Sequence, residues 1–290
     1  MVMIVEHERH GRIEVTDHVH SLIEKDKREW VPQRTPPWYE KRRAHITASL
    51  IASICGDNPY ETRVAALKKK VGCEPPFKGN KATEHGNYYE DIAIEKFEQR
   101  TGEKVIEFGL LESLNEDEKY LAGSPDGITA SGKLIEVKCP YRRKPNGSVP
   151  GHYVHQIQSL MHMLHLDECF FIEYVPEGTW TTEIFSVVHV KRCDIFWARI
   201  EPMLKRFWSD VLEYREKGIL PREAQEKEKP PPKKKPRVIT IGKKEEVCLI
   251  PVPEEPQSSD FSPPTLLAEA MDAFEKREPE TCLIPLPSKD

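Results

Sequence analysis

Two acidic residues and a lysine lie near the middle of the chain, in Gly123-Ser-Pro-Asp-Gly-Ile128 and Lys133-Leu-Ile-Glu-Val-Lys-Cys-Pro140. On a strand, residues two apart share a face, so Glu136 and Lys138 project together while Val137 points into a core. Asp126 ends the preceding hairpin strand and can join them. Two carboxylates and a lysine converging at a strand end form a hard-oxygen site for Mg²⁺, with Mn²⁺ as the alternative ion. The Val137 carbonyl can add one more oxygen ligand. Lys138 can orient or deprotonate a water, the second role being helped if metal and desolvation lower its pKa. Read without context, Glu-x-Lys is an ordinary hairpin segment facing water. The Ser-Pro-Asp-Gly element upstream, in the required order, turns the reading toward chemistry.

Elements that could position these residues are legible from periodicity and turn signals. A helix is expected over Asp17–Trp30, stopping before Pro32, and Thr47 can cap another through Ser49–Cys55. Glu61–Val71 and Glu84–Arg100 read as amphipathic helices, the second stopped by Gly102. Period two then takes over, with short strands at Lys104–Leu111, Tyr120–Ala122, Gly127–Thr129 and Lys133–Lys138. A helix over His152–Leu166, a hairpin of Cys169–Val175 with Thr181–Val190, and a helix over Asp194–Lys217 bent near Pro202 complete the pattern. Helices around a small mixed sheet give an α/β (α+β) fold.

The chain has 290 residues, with 43 basic and 48 acidic side chains and a net charge of -5. That balance excludes a globally basic nucleic-acid binder, so phosphate contact would have to use a local patch. A mean hydropathy of -0.60 and the lack of a run of about 18 apolar residues leave no expected membrane span. The N-terminus turns charged after five residues, too soon for a signal-peptide core. Twelve of the 25 prolines fall in residues 230–290, which cannot hold long helices or central strands. The expected organisation is therefore an N-terminal extension at 1–37, a folded domain at 38–228 and a proline-rich disordered tail at 229–290.

Five motifs in order resemble the phage-lambda-type exonucleases, the YqaJ viral recombinase family of the PD-(D/E)xK nucleases. Arg42-Arg-Ala-His-Ile-Thr-Ala-Ser49 is similar to a phosphate-contacting N-terminal motif, and His85-Gly-Asn-Tyr-Tyr-Glu-Asp-Ile-Ala93 to a helix that turns a glutamate, here Glu90, toward the metal. Gly123–Ile128 and Ile135–Pro140 resemble the catalytic core, and Tyr153-Val-His-Gln-Ile-Gln-Ser159 the glutamine-bearing helix after it. The resemblance covers about residues 38–190. It implies a restriction-endonuclease-like core, with Asp126, Glu136, Val137 and Glu90 around the metal and Lys138 beside the water. It also implies DNA or phosphate contacts from Arg42, Ser49, Gln156 and Gln158, while Ser124, beside Asp126, either adds a phosphate contact or starts the turn. Gln156 and Gln158 point to different sides of a helix, and Gln158, next to the buried stripe, is the favoured one. Arg142, Arg143 and Lys144 form a basic run that either touches DNA backbone or is a solvated loop.

Other features carry less. His152, His155, His162 and His165 have helical spacing, yet no cysteine or carboxylate pattern completes a zinc site. Lys233, Lys234, Lys235 and Arg237 form a nuclear-import-like segment, pointing to an import receptor and a nuclear location, with cytoplasmic residence the alternative. Cys248-Leu-Ile-Pro-Val-Pro253 and Cys282-Leu-Ile-Pro-Leu-Pro287 repeat each other and suit extended docking peptides. The expected activity is Mg²⁺-dependent exonucleolytic hydrolysis at double-stranded DNA ends, 5′ to 3′ by resemblance, in recombination, repair or viral DNA processing. The alternatives are an endonuclease or RNA-cleaving enzyme of the same fold, or a non-catalytic nucleic-acid-binding adaptor. A single-strand annealing protein and homo-oligomers are partners implied by resemblance alone.

Overall fold

The structure is a computed structural model that describes residues 2–72, 79–178 and 182–218. The chain opens with a hairpin of β1 (Val2–His7) and β2 (Gly11–Thr16), then α1 (Asp17–Glu29) and α2 (Pro36–Ala44). Next come β3 (Ile46–Thr47), a 3-10 turn, α3 (Ile51–Cys55), α4 (Arg63–Val71) and the long α5 (Lys81–Thr101). Five short strands follow: β4 (Val105–Ile106), β5 (Leu111–Glu112), β6 (Leu121–Gly123), β7 (Gly127–Thr129) and β8 (Leu134–Lys138). The last described elements are α6 (Gly151–Met163), β9 (Glu168–Val175), β10 (Ile184–Lys191) and α7 (Asp194–Lys217).

The central sheet has the order β10-β9-β8-β7-β4, with only β8 and β9 parallel. A parallel pair needs a crossover, and α6 provides it. Strand β8 is covered on both sides, so Leu134, Ile135, Glu136 and Val137 are all buried, the glutamate included. Leu134, Cys169 and Phe171 join the larger core with Ile157, Leu160 and Met161 of α6. On the opposite side Ile135, Val137, Ile172 and Tyr174 pack with Ala93, Ile94 and Phe97 of α5. Phe97 is fully buried, and burying such a ring stabilises the seat of α5 by roughly 1.5–3 kcal/mol.

A second sheet, β3-β6-β5, carries the Ile46–Thr47 segment to the strand that leads into Ser124-Pro-Asp126. Ile46 and Thr47 lie parallel to Leu121 and Ala122. Gly123 is required by close packing: a β-carbon there would fall 2.5 Å from Leu160 and 3.2 Å from Ala48. At Gly127 it would fall 2.3 Å from Val105. The two glycines that bracket Ser-Pro-Asp are thus spacers that let α6 and β4 press on the motif.

Several expectations change. Neither the hairpin Val2–Thr16 nor α2 was expected, and the hairpin with α1 places Val15, Val19 and Leu22 in the larger core. The expected strand Lys104–Leu111 is split between the two sheets as β4 and β5. Thr47 makes no side-chain cap; a 3-10 turn over Ala48–Leu50 leads into α3 instead. Helix α7 runs through Pro202, held by a stripe of Ile200, Leu204, Phe207 and Val211 that is buried on both sides of the proline. Among the described residues no helix is long and apolar enough to cross a membrane. The tail, with Lys233, Lys234, Lys235, Arg237 and both repeats, lies outside the described residues.

Candidate active site

The alternation of β8 brings Glu136 and Lys138 to the α6 side of the sheet, and the β7–β8 hairpin brings Asp126 beside them. Asp126 Oδ2 accepts a hydrogen bond from the Val137 amide at 2.7 Å, which fixes the carboxylate at the strand end. Lys138 Nζ donates to Glu136 Oε1 and to the Val137 carbonyl at 2.9 Å, and lies 3.6 Å from Asp126 Oδ2. Three oxygens therefore converge on one positive charge. They are the three that the sequence assigns to a cation. A divalent ion suits such a set of hard oxygen donors.

Glu136 has no solvent exposure, and its second oxygen, Oε2, is buried with no partner among the described residues. Burial, with the charge of Asp126 added, pushes its carboxyl up to about 8. Glu90 of α5 lines a cleft with Val137 and Lys138 and is pushed up to about 7, again by burial and then by Asp126. Burial works against the Lys138 ammonium, but Asp126 and Glu136 outweigh it and hold its pKa well above the usual lysine value. Desolvation does not lower this pKa on balance, because two carboxylates, Asp126 and Glu136, face one ammonium. Held by these groups and by the Val137 carbonyl, Lys138 is placed to orient a water. Among the described residues no group of three or more His, Cys, Asp or Glu is gathered to hold a metal; Glu90 reaches the pair as a nearby charge.

An open cleft of about 780 Å³ lies over these groups, lined by Tyr60, Lys81, Glu90, Lys138, Arg142 and Arg143 among others. The phenol ring of Tyr153 lies under the Lys138 ammonium at 5.3 Å. Arg142 and Lys144 are exposed, the Arg142 guanidinium lying over Tyr141 at 5.7 Å. Arg143 is ion-paired with the buried Glu173, so it is not the free surface charge that its sequence suggests.

The remaining expected contacts divide. Ser49 is exposed beside the buried Thr47 and Ala48, and Ser124 Oγ is buried with no hydrogen-bond partner. Arg42 stacks on Trp38 at 4.6 Å, and burial lowers its pKa. Gln158 donates to the Lys191 carbonyl at 2.8 Å and accepts from the Cys193 amide at 2.7 Å, tying α6 to the start of α7. Gln156, one turn after Tyr153, is half-buried and lies on the helix face that Tyr153 turns to the site. The stripe next to the core is where a polar side chain is taken up by backbone groups, as Gln158 is.

Two residues had no sequence signal. Lys70 donates to the Arg42 carbonyl at 2.6 Å, and burial, then Arg42 and Arg215, push its pKa down to about 7. Glu173 stands opposite Lys138 in the β8–β9 register. Within its strand its position alternates with apolar residues, which signals only an inward face.

Residues 37–166 match the family model of the YqaJ-like viral recombinase domain. Over this segment the chain is similar to that family. The fold around it is similar to crystal structures of LHK-Exo, an alkaline exonuclease from Laribacter hongkongensis. In the complex of that protein with dAMP the TM-score is 0.52 at 24% identity, over 63% of this chain and 95% of the other. The domain therefore has the lambda-type alkaline exonuclease fold. Protein R354 of Acanthamoeba polyphaga mimivirus is 31% identical over 159 residues, which are 49% of this chain and 29% of that protein. Protein D345L of an African swine fever virus isolate from Malawi is 24% identical over 195 residues, 54% of this chain and 55% of that protein. The chain thus spans about a third to a half of the length of these viral relatives.

Proposed function

We propose that this chain is a Mg²⁺-dependent DNA exonuclease acting on duplex ends, with Mn²⁺ able to replace Mg²⁺. The reading is carried by one observation: Asp126 Oδ2, Glu136 Oε1 and the Val137 carbonyl converge on a single cationic point beside a buried, unpartnered Glu136 oxygen. The YqaJ-like domain and the alkaline exonuclease fold support it. Asp126, Glu136 and the Val137 carbonyl would hold the ion, with Glu90 adding negative charge. A bound divalent ion supplies a Lewis acid for the phosphate and lowers the pKa of a water. Lys138, charged and fixed by three oxygens, would orient the water and offset charge on the phosphoryl group as it builds up. Arg42, Ser49 and Ser124 would hold a terminal phosphate through a guanidinium and two hydroxyls. The 5′ to 3′ direction and a place in recombination, repair or viral DNA processing follow the family resemblance.

The test is digestion of end-labelled linear duplex, with and without a 5′-phosphate, beside closed circular duplex. Mononucleotide release from linear DNA only, dependent on Mg²⁺, is expected. Cutting of closed circles would replace the exonuclease reading with an endonuclease. Tight binding to ends with no cleavage in Mg²⁺ or Mn²⁺ would replace it with a non-catalytic binder.

A further inference from the structure

Glu173 is the charge on the catalytic face that the proposed chemistry does not use. Parallel register puts it opposite Lys138, as Phe171 is opposite Glu136, so its side chain leaves the sheet on the same side as both. It is 1% exposed. One oxygen is ion-paired with Arg143 Nη2, and the other, Oε2, is buried with no partner among the described residues. A carboxylate so enclosed is costly unless its partner is held firmly. Arg143 is five residues beyond β8, in a connection that carries Pro140 and Pro145. Its side chain is 35% exposed, and it lines the cleft with Glu90 and Lys138. Guanidinium offers five donors in a planar fork. Glu173 pairs with Nη2, and the partly exposed side chain still lines the cleft.

A long basic side chain that grips a phosphate loses rotamer freedom in doing so. An anchor on a buried carboxylate removes that loss before the ligand arrives. We infer that Glu173 is a positioning residue that holds Arg143 as a phosphate clamp beside Lys138, gripping the strand next to the bond to be broken. Among the described residues no ion pair holds the exposed neighbours Arg142 and Lys144, which contribute long-range attraction. This inference rests on the reading of the cleft as a nucleic-acid site.

The experiment measures binding by the full chain, without metal, of a fluorescent duplex that carries a short 5′-phosphorylated overhang. Anisotropy is read from about 50 to 200 mM salt. Arg143→Ala should weaken binding about tenfold and flatten the salt dependence by about one phosphate contact. Glu173→Gln removes a negative charge, so simple electrostatics would tighten binding; positioning instead requires a loss of about three- to tenfold. In an Arg143→Ala background, Glu173→Gln should change nothing further, because the two act through one contact. Glu173→Asp, which keeps the charge but shortens its reach, gives the same comparison where the glutamine variant fails to fold. Unchanged or tighter binding by Glu173→Gln overturns the inference, as does an equal loss in both backgrounds, which would mark a role in folding alone. A wild-type chain that neither binds nor cuts DNA removes the nuclease reading and the clamp together. A wild-type chain that binds, beside a Glu173→Gln variant that binds equally well, removes the clamp alone.

Discussion

Glu136 and Glu118 are both buried glutamates, about as far from water as each other, yet the fold treats them in opposite ways. Glu118 is 5% exposed and fully engaged. It accepts from Asn115 at 2.8 Å and meets His162 at 3.1 Å, and His162 stacks on Trp197 at 3.9 Å. Burial would raise its pKa, but hydrogen bonds from His162 and Asn115 prevail and hold it below the usual carboxylate value. Glu136 has one ammonium shared with two other oxygens, a bare Oε2, and a carboxyl pushed up to about 8. Both sites cost desolvation. Only one recovers it within the protein. A buried carboxylate left short of partners is a place where the chain has kept binding capacity for something else.

That contrast can be broken first at the catalytic lysine. Lys138→Ala, or removal of divalent metal by a chelator, should reduce nucleotide release from linear duplex by about 10²–10⁴-fold. Full activity in the variant would show that the convergence on Lys138 is structural. Arg42→Ala should erase the preference for a 5′-phosphorylated end, a change of about ten- to a hundredfold in the relative rates of phosphorylated and unphosphorylated duplexes. An unchanged ratio would remove Arg42 from the phosphate site.

Two smaller effects test the glutamates directly. Glu118→Gln should destabilise the protein by about 1–3 kcal/mol in thermal or denaturant unfolding, since it leaves His162 without its charged acceptor. Glu136→Gln should do the reverse, stabilising the metal-free protein by about 1 kcal/mol near pH 8 because an unsatisfied buried charge is removed. If both variants lose stability alike, the two sites do not differ in the way proposed.

The pH dependence has opposite signs for the two. Glu136 and Glu90, with folded values of about 8 and 7 against an unfolded value near 4.5, bind protons more tightly in the fold. Metal-free stability should therefore fall as pH rises from about 4.5 toward about 8. Glu118, held low, contributes above the unfolded value and loses that contribution as pH falls through its folded pKa. Melting temperatures of the wild type and both variants from about pH 4 to 9 would separate the slopes: Glu136→Gln should flatten the neutral side and Glu118→Gln the acid side.

The local chemistry was legible because it rests on short-range geometry. Strand alternation alone puts Glu136 and Lys138 together, and turn residues put Asp126 at the hairpin end. The helices Asp17–Glu29, Arg63–Val71 and Lys81–Thr101 announce themselves through caps and apolar stripes. The sequence could not say that Gly123 and Gly127 are spacers for Leu160 and Val105, since those contacts join segments far apart in the chain. Nor could it choose between Gln156 and Gln158. Spacing places them on different faces of α6, but which face meets Lys138 depends on how the helix lies across the parallel pair. Tertiary structure likewise decided the charges that surround Lys138, the partner of Arg143 and the place of Glu173. Each depends on how many charges share one buried volume, and that number is fixed by packing rather than by neighbours in sequence.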